Sequence, residues 1–339
     1  MKKILFKRQE NCYKANLHTH TDISDGAFTP EEVKEAYKEA GYQIVAFTDH
    51  EIMIPHPELC DENFLAMNSY ELFINEPLKD LKRRRKTYHL NFYCPDNEER
   101  MFPLFKASHI WFYPLEHLAE ILPKEMFQIE TVKDYSIEGI NNLIRVANEK
   151  GYLVSYNHPV WSQQDYSDYH GLKGLWGVEW FNTGCDQLGY VDDIKPIDDL
   201  LREGERVFPL ATDDSHGDYD RFGGWCMVNA ASLTHKDVFE SLKKGDFYST
   251  TGPDIFEISK DGNIFTIKTS PVRHISITTE RRYAKRQLSE DGSPITEASF
   301  NIVDLLKEMT DERTYIRITV QDMEGNRAYS RAFFSEDFT

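Results

Sequence analysis

The sequence has few cysteines, and no two of them form a Cys-x-x-Cys pair. The five are widely spaced, at Cys12, Cys60, Cys94, Cys185 and Cys226. An odd number without a regular spacing argues against a disulfide framework. We therefore expect reduced, mostly buried thiols of the kind found in cytosolic proteins.

The sequence also lacks a long hydrophobic run. No stretch approaches the ~18 apolar residues needed to cross a bilayer as a helix. The N-terminal segment is basic at Lys2 and Lys3, but only Ile4, Leu5 and Phe6 follow as an apolar run, which is too short for the core of a signal peptide. We therefore predict a cytoplasmic protein with no membrane partner.

Positive charge is scarce. There are 39 Lys and Arg residues against 57 Asp and Glu residues, which gives a net charge of −18. A surface of this sign repels a nucleic-acid backbone, so we expect no duplex nucleic acid as a partner. The one dense basic run, residues 82–86, could guide a polyanionic substrate but is expected to be a solvated face.

A chain of 339 residues is long for a single core, so two domains are expected. In the first, strand-like runs alternate with helical patterns. Residues 29–32 have the form of a capping box at the start of a helix that Gly41 ends, and residues 44–47 form an apolar run typical of a buried strand. This alternation is typical of a parallel α/β sheet. Polar residues after so many successive strands favour a closed or nearly closed barrel over a doubly wound sheet.

Two regions depart from this pattern. Residues 92–136 are rich in aromatic residues and prolines, and we expect them to form a small inserted cap. After Gly252 the helical periodicity fades, and short alternating strands are separated by turn signals at residues 261–262 and 324–325. We therefore predict a barrel domain over residues 1–252 and a small all-β sandwich over residues 253–339.

Nine residues stand out in the predicted barrel because most of them directly follow an apolar, strand-like run. Neutral imidazoles and ionised carboxylates bind divalent metals, so the set predicts a polynuclear metal centre. Glu71 and His89 lie where the surrounding sequence is least regular, and Glu71 could bridge two cations because both of its oxygens have lone pairs. The predicted ligands are His18, His20, Asp25, His50, Glu71, His89, His158, Asp214 and His216.

Other residues near these ligands have two interpretations each. Asp49 and Asp213 could orient a histidine or serve as loop acids or caps. Arg221 could clamp a substrate phosphate, although pairing with a neighbouring aspartate is the more common use of such a residue. Trp161 and Trp176 could stack on a base or sugar or pack in the core or the cap. Glu179 follows an apolar strand without a paired histidine and is not included among the predicted ligands.

These motifs resemble those of the PHP family, the polymerase and histidinol phosphatase domain, over roughly residues 14–250. The matching pieces are His18-Thr-His20, Ser24-Asp25-Gly26, Thr48-Asp49-His50, Glu71, His89, Asn157-His158-Pro159 and Asp214-Ser-His216. The resemblance implies a distorted seven-stranded (β/α) barrel that holds three metals. The implied groups are His18, His20, Glu71 and Asp214; Glu71, His89 and His158; and Asp25, His50 and His216. The C-terminal part resembles the Ig-like domain attached to some PHP proteins.

The expected function is therefore that of a metal-dependent phosphoesterase acting on a small phosphorylated metabolite or nucleotide. Two or three divalent ions (zinc, manganese or iron) would generate a metal-bound hydroxide, so no side-chain nucleophile is predicted. Two alternatives are an amidohydrolase-like metal hydrolase and a non-catalytic, metal-bound scaffold whose β-domain binds a partner or glycan. The sequence does not determine the substrate or the oligomeric state.

Overall fold

A computed structural model describes residues 2–77, 85–191, 193–289, 291–308 and 313–338 of the protein. The strands are β1 Lys2–Lys7, β2 Cys12–Asn16, β3 Ile44–Phe47, β4 Leu65–Asn75, β5 Thr87–Tyr93, β6 Leu153–Tyr156, β7 Gly177–Asn182, β8 Phe208–Thr212, β9 Trp225–Asn229, β10 Phe247–Thr250, β11 Ile255–Asp261, β12 Ile264–Val272, β13 His274–Thr278, β14 Ala284–Leu288, β15 Ile295–Asn301, β16 Tyr315–Gln321, β17 Arg327–Ser330 and β18 Phe333–Phe334. The α-helices are α1 Pro30–Glu39, α2 Leu115–Ile121, α3 Ile137–Glu149, α4 Tyr166–Tyr169, α5 Thr183–Gln187, α6 Lys195–Arg202, α7 His235–Lys244, α8 Val303–Glu308 and α9 Ser335–Phe338. Within these ranges, no helix is both long enough and apolar enough to cross a bilayer.

One large sheet forms most of the N-terminal part. Its strands β2 to β8 are neighbours in sequence order. Pairing is parallel from β2 through β4 and again from β6 through β8, whereas β5 runs antiparallel to both β4 and β6. The carboxyl ends of six of these strands therefore lie at one edge, which is where a parallel α/β architecture places a site.

The predicted barrel does not close by continuous strand pairing among the described residues. One edge of β2 pairs with β3, and the other edge is occupied by the antiparallel strand β9. Beyond the ends of β2 and β8, the two segments that follow these strands join at an isolated parallel bridge between Thr19 and Ser215. Strand β5 pairs antiparallel with β4, and the (β/α)7 count implied by the resemblance stays a prediction.

The helices pack against this sheet as the sequence pattern indicates. The capping box at the start of α1 is present, because Thr29 Oγ1 accepts from the Glu32 amide and the Glu32 carboxylate accepts from the Thr29 amide. Helix α1 buries Val33 and Tyr37, which lie in one hydrophobic cluster with strand β3. The predicted helix over residues 30–40 and the predicted strand over residues 44–47 are thus confirmed.

Residues 92–136 contain the end of β5, helix α2 and two 3₁₀ turns at Ala107–His109 and Lys124–Gln128. Their side chains Phe102, Phe105 and Leu118 are buried in the main hydrophobic core, so the segment packs onto the sheet. Its role as a cap stays a prediction. Residues 82–84 of the basic run lie outside the described residues.

The C-terminal part consists of two packed sheets, as predicted for an all-β sandwich. One sheet has the strand order β1-β11-β12-β15, and the other is the end of the large sheet, β14-β13-β16-β17. Apolar side chains such as Ile258, Ile267, Ile277 and Ile318 from the two sheets form one hydrophobic cluster. Strand β1, from the N-terminus of the chain, pairs with β11, and β17 pairs with β10. The boundary at residues 252 and 253 stays a prediction.

Arg317 on β16 connects the sandwich to helix α6 by a paired hydrogen bond. Its Nε lies 3.1 Å from Asp198 Oδ1 and its Nη2 lies 3.0 Å from Asp198 Oδ2, and the guanidinium is almost fully buried. Lysine cannot make this two-point contact. We expect Arg317→Lys to lower the free energy of unfolding by about 2 kcal/mol, measured by chemical denaturation.

The matched control is Arg286→Lys, because Arg286 lies exposed on the edge strand β14. This change is expected to alter the free energy of unfolding by less than about 0.5 kcal/mol. Equal effects of the two substitutions would show that the paired contact with Asp198 does not stabilise the protein.

Candidate metal centre

The structure brings all nine predicted ligands together in one network at the carboxyl edge of the large sheet. His18 and His20 follow β2, His50 follows β3, and Asp214 and His216 follow β8. His89 lies within β5, and Glu71 lies within β4 rather than after it, because that strand extends to Asn75.

Glu71 is the centre of the network and is completely buried. Its Oε2 lies 3.0 Å from His50 Nδ1 and 3.5 Å from His20 Nε2. Its Oε1 lies 3.2 Å from both His18 Nε2 and His89 Nδ1, and 3.7 Å from His158 Nε2. A single carboxylate therefore faces five imidazoles, as a bridging ligand between cations would.

Two aspartates complete the network on either side of Glu71. Asp214 Oδ1 lies 3.1 Å from both His18 Nε2 and His20 Nε2. Asp25 Oδ1 lies 3.4 Å from His216 Nε2, and Asp25 Oδ2 lies 3.6 Å from His50 Nε2. Asp25 is the most exposed of the three carboxylates, so it marks the side of the network that is open to solvent.

Within the described residues, four groups of side chains place their ligand atoms close enough to hold one cation. They are His20, Asp25, His50 and His216; His18, His20 and Asp214; His50, Glu71 and His89; and His18, His158 and Glu179. The first contains the whole implied Asp25, His50 and His216 group and adds His20. The others divide the remaining ligands differently from the implied groups, so the assignment of ligands to individual ions stays a prediction.

The donor set fits divalent cations. His50 Nδ1 and Glu71 Oε2 are buried, and neither atom has a hydrogen-bond partner although they lie 3.0 Å apart. Two ligand atoms each ~2.1 Å from one ion lie about 3.0–3.4 Å apart, which is the range of the shortest separations in this network. The separation of His50 Nδ1 and Glu71 Oε2 therefore fits two ligand atoms of one cation. Mixed imidazole and carboxylate ligands suit zinc, manganese or iron.

Without a cation, the side chains of the network divide between ligand forms and protonated forms. Against the effect of burial, the imidazoles of His89, His18 and His50 hold the pKa of Glu71 well below its usual range. Burial, together with the neighbouring His216 and His50, lowers the pKa of His20 to about 3. Against the effect of burial, neighbouring carboxylates such as Asp214 and Glu71 raise the pKa of His18, His50 and His158, so metal binding would release protons from these rings.

Glu179 belongs to the site although the sequence analysis did not include it. Its Oε1 lies 2.7 Å from His18 Nδ1, and its Oε2 accepts from the His158 amide at 3.0 Å. A carboxylate at Nδ1 fixes the ring so that Nε2 faces Glu71 and Asp214. The signal that could have identified it is its position in a buried, apolar strand, β7, at the same edge of the sheet as the ligands.

Asp49 holds the loop that carries the first ligands. It accepts from the amide and the hydroxyl of Thr21, both at 2.8 Å, and from Ser24 Oγ at 2.7 Å. These bonds fix the chain between His20 and Asp25. Of the two interpretations of Asp49, these hydrogen bonds favour that of a loop acid.

Asp213 fixes the segment that carries Asp214 and His216, as Asp49 fixes the loop after His20. Its carboxylate is completely buried and accepts from the hydroxyls of Tyr37 and Thr183, at 2.9 and 2.5 Å, and from the amides of residues 222–224. Its partners are again a loop and neighbouring elements rather than an imidazole.

Backbone strain coincides with this site. His158 and Asp214 have positive φ values of 26° and 55°, and Glu51, next to His50, has a φ of 65°. Such values are costly for residues with a side chain and persist where the surroundings enforce them. Asn157 is part of these surroundings, because its Nδ2 donates to Glu71 Oε1 at 2.7 Å.

Arg221, the predicted phosphate clamp, pairs with Asp218, and its guanidinium lies 4.7 Å from the ring centre of Phe28. A substrate-binding role for Arg221 stays a prediction. Of the two tryptophans considered for stacking, Trp176 is a core residue whose Nε1 donates to the Leu242 carbonyl. Trp161 instead contacts the metal-ligand candidates, with its ring centre 5.1 Å from that of His158 and 5.4 Å from that of His89.

The chain matches the model of one known protein family. The family model described as PHP domain matches residues 16–206, which contain seven of the nine predicted ligands and more than half of the chain. No curated protein sequence matches.

Several solved structures are similar at low identity. A two-domain protein containing a predicted PHP-like metal-dependent phosphoesterase from Bacteroides vulgatus is 14% identical, with a TM-score of 0.47, and the match covers 98% of both chains. An amidohydrolase from Chromobacterium violaceum with bound sulfate and no metal is 15% identical, with a TM-score of 0.36, over 61% of this chain and 90% of that one. A lesion-specific endonuclease from Pyrococcus furiosus is 14% identical, with a TM-score of 0.39, over 69% of this chain and 56% of that one. Structural likeness at this level does not assign an activity.

Proposed function

This chain belongs to the PHP domain family, and we propose that it is a metal-dependent phosphoesterase that releases phosphate from a small ester. The observation that carries the proposal is the arrangement around Glu71, a completely buried carboxylate that five imidazoles face within 3.7 Å. Such a set of ligands has no use in packing, because each buried polar group costs free energy unless it is paired or bound to a metal.

Two or three divalent ions would be held by the nine predicted ligands, with Glu179 as a supporting carboxylate or an additional ligand. When bound, such ions polarise phosphoryl oxygens and lower the pKa of water. In this chain Glu179 would hold the His18 ring, and Asn157 would hold Glu71, so that the ligand atoms keep their places during a reaction.

Cys185 is the thiol whose ionisation is most strongly opposed by the site. Burial, followed by the charges of Asp214 and Glu179, raises the pKa of Cys185, so this side chain stays a thiol at neutral pH. Because the thiolate is the reactive form, Cys185 is not a suitable nucleophile. Water is therefore the attacking group that we propose, in keeping with hydrolysis.

Bound cations would supply the positive charge that attracts an anionic ester to a site lined by carboxylates such as Glu71 and Asp214.

The test combines metal analysis with a substrate screen on the same preparation. Metal-loaded protein is expected to release phosphate from at least one ester in a broad panel, and removal of metal by a chelator should abolish this release. Re-addition of zinc, manganese or iron(II) should restore it. Amides measured in parallel test the amidohydrolase alternative.

The control protein carries His117→Ala, because His117 is exposed on helix α2 and is not part of the network. It should match the wild type in both metal content and turnover. His20→Ala should lose both. Metal-loaded protein that neither binds a phosphate analogue nor releases phosphate from any ester would overturn the proposal and favour the scaffold alternative.

A further inference from the structure

Glu51, the residue that directly follows the predicted ligand His50, has a buried side chain and a strained backbone. Its φ is 65°, which is costly for a residue with a side chain and persists only where the surroundings enforce it. Its carboxylate is almost completely buried, and a buried carboxylate requires a partner. The groups that pair with Glu51 therefore also fix the course of the chain after His50.

Lys133 supplies this pairing. Its Nζ lies 2.5 Å from Glu51 Oε1 and donates to the Phe73 carbonyl at 2.8 Å, and its side chain is only 11% exposed. Glu51 Oε1 also accepts from the Phe73 amide at 3.2 Å. The three residues thus form a closed set of contacts, in which one ammonium group joins the segment after β3 to strand β4.

Both of the joined segments carry predicted ligands. His50 precedes Glu51, and Glu71 lies two residues before Phe73 in β4. The backbone links the same segments, because the Glu51 amide donates to the Glu71 carbonyl at 2.7 Å. The centre of the Phe73 ring is 4.3 Å from Lys133 Nζ and 5.7 Å from the ring centre of His50. A change at Lys133 would therefore reach the 3.0 Å contact between His50 Nδ1 and Glu71 Oε2.

Other side chains of residues 92–136 approach the same place. His109 Nδ1 lies 3.6 Å from Glu51 Oε2, and the ring centre of Phe112 lies 6.5 Å from that of His50. Neither residue is a predicted ligand, so this segment supports the metal centre from outside the ligand set. Removal of a group that orients a ligand typically lowers metal affinity by about 10–100-fold.

We infer that Lys133 is a positioning residue of the metal centre, which fastens the segment carrying His50 to the strand carrying Glu71. The segment of residues 92–136 is then required for full metal occupancy. The inference rests on the metal binding of the proposed function and not on the identity of the ester. It concerns the ions held through His50, whereas two of the four candidate groups contain His18 and not His50.

The experiment is a zinc titration of the metal-free protein by calorimetry, with the bound ions counted per chain. For Lys133→Met we expect the affinity for at least one ion to fall by about 10–100-fold, while at least one other ion keeps its affinity within about threefold. Lys133→Arg should bind the affected ion more tightly than Lys133→Met, because a guanidinium can donate to both acceptors.

The matched control is Lys34→Met. Lys34 is shielded to a similar degree, at 14% exposure, and its Nζ lies 2.8 Å from Asp61 Oδ2 and 5.7 Å from the ring centre of Phe64. This lysine on helix α1 therefore has the same kinds of partner as Lys133, but it does not join segments that carry predicted ligands. Its substitution should leave every zinc affinity unchanged.

A double variant separates positioning from stability. Lys133→Met alone leaves the Glu51 carboxylate buried without its cation, which destabilises the fold. Lys133→Met combined with Glu51→Gln removes both charges and should unfold at a denaturant concentration close to that of the wild type, yet lose zinc affinity as the single variant does. If the double variant binds every ion as the wild type does, or if all ions weaken equally as the protein becomes less stable, Lys133 has a structural role only and the inference is overturned.

Zinc binding requires no ester, so failure of this inference differs from failure of the proposed function. If the zinc affinities change as expected but no ester is hydrolysed, the proposed function is wrong and the positioning role holds. If esters are hydrolysed and Lys133→Met keeps both its zinc and its turnover, the positioning role is wrong and the proposed function holds. A wild-type protein that binds no zinc would overturn the inference as well.

Discussion

Glu71→Gln is expected to lower kcat/KM for phosphate release by about 10³-fold and to remove at least one bound metal ion per chain. The substitution keeps the size of the side chain but replaces an anion that faces five imidazoles by a neutral amide. Loss of a buried charge from such a network costs about 4 kcal/mol, which corresponds to a factor of 10³ in a rate or binding constant.

The measurements are metal content by mass spectrometry and steady-state kinetics on the ester identified by the screen. Circular dichroism should show an unchanged fold, because the amide fills the same volume. Glu62→Gln is the matched control, since Glu62 is exposed in the turn before β4 and should have no effect on either quantity. A Glu71→Gln protein that keeps its metal and works within about threefold of the wild type would show that Glu71 is not a ligand.

Asp213→Ala is expected to destabilise the protein by about 4 kcal/mol and to weaken metal binding as well. Asp213 is the common acceptor for two hydroxyls and for the amides of residues 222–224. Each buried donor left without an acceptor costs about 1–3 kcal/mol, although partial relaxation makes the sum smaller than the parts. The loop carries His216, so its release also removes a ligand from its place.

The measurements are the free energy of unfolding by denaturant and the dissociation constant of the most weakly held metal ion. Asp213→Asn should have a smaller effect on stability, because one amide oxygen still accepts. Asp291→Ala, at an exposed position in a C-terminal turn, is the control and should change the free energy by less than about 0.5 kcal/mol. If Asp213→Ala is as stable as this control, the hydrogen bonds of Asp213 do not hold the loop.

The sequence predicts the position of the site better than the way the sheet is completed. His18, His20 and Asp214 could be placed near one another because each follows a strand-like run, and strand ends in a parallel sheet share an edge. Glu179 could not be selected in the same way, because no histidine lies beside it in sequence and its partner His18 is 161 positions away. Contacts between residues so far apart in the sequence depend on how the strands are arranged in the sheet.

The lack of closure of the barrel could not be predicted from the sequence for a similar reason. The strand signals of β2 and β9 are short and local, and nothing in either indicates that they pair with each other. That pairing occupies the edge of β2 on which closure would depend. The pairing of β1 with β11 is equally non-local, and it brings the start of the chain into the C-terminal sandwich. Local patterns predict the elements, whereas these pairings depend on the packing of the whole core.

The continuity of the large sheet through β9, β10 and β17 affects how the chain could be divided. A fragment ending near residue 252 would retain β10 but lose β17, the neighbour that covers its outer edge. The same cut would separate β1 from β11. Each piece would then present unpaired backbone N–H and C=O groups along an exposed strand, and such edges recruit other chains. The likelihood of aggregation would therefore rise even if each fragment kept its own hydrophobic core. We expect the N-terminal part and the C-terminal sandwich to stay soluble only when they are joined in one chain.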